Sequence, residues 1–167
     1  MAEIKREEIL YRAEKVFFEA MVRGWAADVK GIPVLDMPGY KRIPPYERDG
    51  FCVVDQYCVG EMGSAGTTTI SIDRVPIWFM SYCGFYPKEV VPFLKRALMA
   101  AYEKDEFFGG RGKGGYDQRL GQVVLTYYNY VDNRSAFQNF LGREFIESTR
   151  GGLHPVGFHN YCGVILI

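Results

Sequence analysis

The chain has 167 residues, 48% of them apolar and 16% aromatic, and its 20 basic and 20 acidic residues cancel. That length sets the expectation of a single domain, 1–167, burying roughly two thirds or more of its unfolded surface without a disulfide or metal staple. The neutral balance excludes a global pull toward nucleic acid or anionic lipid, and no apolar run approaches the roughly eighteen residues of a membrane span.

Glu3, Lys5, Arg6, Glu7 and Glu8 interrupt any secretory leader. With four cysteines and no leader, the expected location is the reducing cytoplasm. Next in order, Ile9, Leu10, Ala13, Val16, Phe17, Ala20 and Met21 fall on one helical stripe, which predicts a first helix over about 3–23, closed at Gly24. Ile32-Pro33, Met37-Pro38-Gly39 and Pro44-Pro45 then predict a wrapping loop up to residue 50. Three strands follow, over 51–59, 67–72 and 75–83, joined by short connections that favour antiparallel pairing. Cys52 and Cys58, placed in one such strand, would lie roughly 20 Å apart, beyond disulfide reach. Val90, Val91, Leu94, Ala97, Leu98 and Ala101 predict a second helix over about 89–103. The glycine-rich run 109–115 leads into strands near 122–131, 143–148 and 156–165.

The segment Val75-Pro76-Ile77-Trp78-Phe79-Met80-Ser81-Tyr82-Cys83-Gly84 recurs without a gap as His154-Pro155-Val156-Gly157-Phe158-His159-Asn160-Tyr161-Cys162-Gly163. This echo, within an internal pseudo-repeat over about 50–84 and 121–165, predicts two copies of one β-unit. The expected class is α+β, with duplicated three-stranded antiparallel units in the order α-βββ-α-βββ. They would form a twisted sheet or partly closed barrel packed on two helices. The apolar end Val164-Ile165-Leu166-Ile167 is expected to dock.

Asp55-x-Tyr57 closing on Gly60, Pro76-Ile77-Trp78-x-Met80-x-Tyr82-x-Gly84, Phe93-Leu94-x-x-Ala97-Leu98, Phe140-x-Gly142-x-Glu144-x-Ile146 and Tyr161-x-Gly163-x-Ile165 resemble a family of prokaryotic domains of unknown function. Its members occur alone or behind a Cro/C1-type helix-turn-helix regulator. The resemblance runs from about Leu10 to the end and implies a cytoplasmic, stand-alone binding or sensing domain. The family's ending Tyr-His-Gly-Gly is replaced here by Asn160-Tyr161-Cys162-Gly163, so a role for that histidine does not carry over.

Alternation puts Asp55 on the apolar row of its strand with Phe51, Val53, Tyr57 and Val59, so it must be paired, hydrogen-bonded or protonated. Trp78, Met80 and Tyr82 share one face and offer either core or a flat ligand platform. Gly157 and His159 replace Trp78 and Met80 in the second copy, which either leaves a hollow beside Gly157 or lets a helix pack closer there. His154, His159 and Cys162 do not make a metal site, because His159 and Cys162 point to opposite faces of one strand. His159 reads as a lone titratable group, a hydrogen-bonded histidine in preference to a general base. Lys113 is followed by Gly114 and a predicted strand, so the glycine run is not a phosphate loop but a solvated tether carrying Arg111. No cofactor motif and no Ser/His/Asp constellation is legible.

These observations set the expectation of a binding or sensing domain for a small apolar or aromatic ligand or a partner protein. Candidate ligand-binding residues are Asp55, Tyr57, Trp78, Met80, Tyr82 and His159. The alternatives are an acid-base enzyme, a hydrolase or isomerase using Asp55 with His159, and a protein-interaction or homodimerisation module. No membrane partner is expected, and nucleic acid is not expected as a partner of the domain alone.

Overall fold

The computed structural model describes residues 5–132, 134, 136–150 and 155–167. His154 therefore lies outside the described residues. Two helices, α1 (Arg6–Met21) and α2 (Val91–Tyr102), accompany ten strands. The strands are β1 (Ile32–Pro33), β2 (Tyr40–Arg42), β3 (Tyr46–Arg48), β4 (Phe51–Val59), β5 (Ser64–Ile72), β6 (Val75–Phe85), β7 (Tyr116–Leu120), β8 (Val123–Val131), β9 (Asn139–Ser148) and β10 (Pro155–Ile165). All pairings are antiparallel, in the order β1-β2-β4-β5-β6-β10-β9-β8-β7, with β3 also on β4. The path is linear and its edge strands do not pair among the described residues, so the sheet is open and the partly closed barrel is corrected.

The chain between the first helix and residue 50 is not simply a loop. Tyr40 pairs with Cys58 and Tyr46 with Val53, so β2 and β3 both lie along β4. Pro44 and Pro45 stand between them. Proline has no N–H to give to a ladder, and the pair splits one edge strand into two. The strand β7 was also unforeseen. It forms a hairpin with β8 through Gly121-Gln122, where Gly121 takes φ +65°.

Alternation sorts the sheet into a face covered by the helices and an outer face. Phe17 and Phe18 of α1 and Phe93, Leu94 and Leu98 of α2 share one buried cluster with Val53, Ile70, Met80, Tyr127 and Ile146 of the strands. The Phe17 ring lies 5.4 Å from the Trp78 indole. At the end of the chain, Leu166 N donates to Ile77 O and Ile165 N to Gln138 O, so the backbone there is tied down.

The central ladder is β6 with β10, and Tyr82 pairs directly with Tyr161. Outward from this pair the registers run in parallel. Tyr82 faces Gly66 and Tyr161 faces Gly142. A Cβ on either glycine would collide with the hydroxyl of that tyrosine. Met80, Thr68 and Asp55 form one cross-strand row, and His159, Glu144 and Asn129 form another. The ladders shift at Ile77 in β6 and at Val156 in β10, which are matched positions of the sequence echo.

Candidate functional site

Between the inner face of the sheet and the two helices lies a cavity of about 120 Å³. Phe17 from α1 and Leu94 and Leu98 from α2 form its apolar roof, and Met80 and Tyr82 form part of its floor. Asp55, Tyr57, Ser64, Tyr86, Arg111 and His159 supply the polar groups around it. Five of the six candidate residues read from sequence thus border one space.

Trp78 does not border it. The indole is fully buried, its Nε1 donates to Phe137 O at 2.7 Å, and its ring stacks on Phe137 with centroids 5.0 Å apart. The hollow expected beside Gly157 is also absent. A Cβ there would come within 2.5 Å of Tyr86 Cδ1, so the Tyr86 ring occupies that room. Both expectations are corrected for one reason: alternation gives the face of a residue, but the filling of that face depends on side chains from beyond the strand.

Asp55 accepts hydrogen bonds from Tyr82 OH at 3.2 Å and Thr68 Oγ1 at 3.3 Å. Burial pushes its carboxyl up from the ordinary 3.8 to about 6, and the donors together with the charge of Arg111 only partly oppose this. A carboxyl in that range exchanges its proton near neutral pH.

The glycine-rich run is threaded through the structure and is not a solvated tether. A Cβ on Gly109 would come within 2.5 Å of the Tyr161 ring, and one on Gly112 within 2.7 Å of Ala97 O. This close passage delivers Arg111, only 7% exposed, to the cavity wall. There its guanidinium pairs with Glu144, which is 0% exposed, and lies over the Tyr82 ring at 5.4 Å. Tyr127 OH donates to the other carboxylate oxygen of Glu144 at 2.5 Å. Burial alone would raise the Glu144 carboxyl. Arg111 beside it and the hydrogen bonds from His159 and Arg111 outweigh that and hold it at about 2.

His159 is not a lone group. Its Nδ1 lies 3.3 Å from Glu144 Oε1 and its Nε2 lies 2.9 Å from Ser64 Oγ. Burial lowers the basicity of the ring, which Glu144 opposes and Arg111 reinforces. Ser64 and His159 reach each other across β6, because both pair with Gly84, one on each side. A Cβ on Gly84 would strike the Phe158 carbonyl and come within 2.9 Å of His159 Cδ2. With no side chain at that point, the serine hydroxyl can cross.

Sequence reasoning missed Ser64, Tyr86, Arg111 and Glu144. Arg111 carried a signal as the one arginine within a run of glycines, and Glu144 as the acidic position of the motif Phe140-x-Gly142-x-Glu144-x-Ile146. Among the described residues, three buried side-chain polar atoms have no protein partner: Arg42 Nε, Tyr86 OH and Arg111 Nε. Two of the three belong to residues that border this cavity. No group of three or more His, Cys, Asp or Glu side chains is placed to hold a metal among the described residues. The chain has no significant match to any family model, curated protein or solved structure.

Proposed function

We propose that this chain binds a small, ring-sized organic molecule in the cavity between its helices and its inner sheet face. The observation that carries the reading is the pair of unpartnered buried donors, Arg111 Nε and Tyr86 OH, on residues that border a largely apolar space. A buried donor without an acceptor costs roughly 1–3 kcal/mol, so a molecule that offers an acceptor there gains both burial and a hydrogen bond. Apolar cavities near this size take a single aromatic ring, as an engineered one of about 150 Å³ takes benzene. Asp55, able to hold or release a proton near neutral pH, supplies a second polar contact of variable character. The fit is to a flat apolar body with an acceptor group at one end.

The same proposal takes the molecule as two copies of an α-βββ unit. Supporting it are the Tyr82 and Tyr161 pair, the matched glycines 66 and 142, and the ladder shifts at matched positions. The resemblance to prokaryotic domains of unknown function, with the binding or sensing role it implies, belongs to this reading too, with the cavity as the place where the bound molecule sits.

Benzoate tests the proposal, because its ring fills the space and its carboxylate accepts from Arg111 and Tyr86. Calorimetric titration should show saturable one-to-one binding, weakened roughly 10–150-fold in Tyr86→Phe, the equivalent of one hydrogen bond to a charged acceptor. Absence of saturable binding for benzoate, benzamide and toluene alike at millimolar concentration overturns it.

A further inference from the structure

We propose that Ser64, His159 and Glu144 work together as a nucleophile relay, with Ser64 Oγ taking the acyl group of a small carboxylic ester held in the cavity. This rests on the ligand-binding reading for its site and adds a covalent step to it.

The proton positions follow from the contacts. Glu144 is a carboxylate and can only accept; at 3.3 Å it lies nearer His159 Nδ1 than the Arg111 Nη2 donor at 3.5 Å, and this closer contact is the one taken to place the ring proton on that nitrogen. His159 Nε2 is then a bare acceptor, and at 2.9 Å the Ser64 hydroxyl must be the donor to it. A hydroxyl donating to a neutral imidazole, whose other nitrogen is oriented by a buried carboxylate, is the arrangement of an activated serine. Glu144 is itself held by Arg111 and Tyr127, so the orienting group is fixed on both oxygens. Ser64 and His159 both border the cavity, where an ester carbonyl can reach them.

The step balances as follows. Ser64 Oγ forms a bond to the carbonyl carbon while its proton passes to His159 Nε2. The carbonyl π pair moves onto oxygen, for which Arg111 Nε–H and Tyr86 O–H are the cavity donors with no protein acceptor. Collapse breaks the bond to the alcohol oxygen, which takes the proton from His159 and leaves. Water then attacks the acyl carbon and gives a proton to His159; collapse breaks the bond to Ser64 Oγ, which takes that proton from His159, and the carboxylic acid leaves.

Arg111 sets the pace. Its Nη2 lies 3.5 Å from His159 Nδ1, and it already draws on the charge of Glu144, so the imidazolium formed in each step is held less firmly than beside an undivided carboxylate. Esters with good leaving groups should acylate Ser64 readily and turn over slowly.

The test is the full chain with p-nitrophenyl acetate, followed by release of nitrophenolate and by peptide mapping of the acetyl group. The expected result is an initial burst with acetyl on Ser64. The burst is lost in Ser64→Ala, slowed roughly 10²–10⁴-fold in His159→Gln, and kept in Ser81→Ala, whose hydroxyl lies on the outer face against Cys162. The pH profile adds a readout that a structural role would not move. The acylation rate should rise with the deprotonation of His159, whose charged and titratable neighbours are Glu144 from β9, Arg111 from the glycine-rich run, and Tyr82 and Tyr86 in and just after β6. Acetyl confined to cysteines or lysines, or an unchanged burst in Ser64→Ala, overturns the relay. If benzoate still binds in that case, the cavity reading survives; if benzoate also fails to bind, both fall.

Discussion

Asp55, Thr68 and Met80 in one half of the sheet and Asn129, Glu144 and His159 in the other occupy matching places around Tyr82 and Tyr161, and each row carries one carboxylate. In the first row the carboxylate stands on the outer strand of the trio, with two hydroxyl donors and the guanidinium only at a distance, and burial drives its proton affinity up. In the second it stands on the middle strand in direct contact with Arg111, and its proton affinity is driven down. The rows run alike but hold their carboxylates one strand apart, and direct contact with a single cation separates their charge. Each tyrosine donates to the first residue of its row, Tyr82 to Asp55 and Tyr161 to Asn129, one to a carboxylate and one to a neutral amide.

The sharpest way to break this contrast is to remove the charge from the second row. Glu144→Gln leaves Arg111 buried without its counter-ion and should cost about 3–5 kcal/mol in urea unfolding, whereas Thr68→Val at the matching place should cost about 1 kcal/mol. Equal losses would mean that the rows do not differ as described. A smaller effect is expected from Asp55→Asn. The folded carboxyl keeps its proton up to about pH 6, while the unfolded one releases it near 3.8, so the folded state holds more protons between these values. Stability should therefore fall as pH rises through that window, by up to about 3 kcal/mol, and the fall should vanish in Asp55→Asn. Glu144 bends the curve the other way. Its contribution is present above 4.5 and is lost as pH drops toward 2.

The smallest effect separates the tyrosines. At pH 8, Tyr82→Phe removes a donor to a charged group and should cost about 1.5–3 kcal/mol, against about 0.5–1.5 kcal/mol for Tyr161→Phe. Thermal unfolding at pH 5, where Asp55 is protonated, should bring the two together. A larger loss for Tyr161→Phe at pH 8 would reverse the comparison.

Much of this frame was legible beforehand. Val75 to Gly84 and most of its echo fall on β6 and β10, the two strands that pair at the centre of the sheet, and simple alternation put Asp55 on the inner face. What stayed hidden came from contacts between residues distant in the chain. Ser64 and His159 are separated by 95 positions, and nothing in either neighbourhood points to the other. Arg111 was misread because glycine-rich composition describes a free chain, while here glycine is needed for clearance against Tyr161 and Ala97. The Trp78 platform was misplaced because Phe137, outside the strands being read, stacks on that indole, and the hollow because Tyr86 occupies the room beside Gly157.

The bare position at Gly84 has a wider consequence. Since β6 can carry no side chain where Ser64 and His159 meet, the hydroxyl and the imidazole have to be contributed by separate halves, one from each flank of the seam. The acyl transfer proposed above therefore needs β5 and β10 both seated on β6, and acetylation of Ser64 would report that the seam is correctly assembled.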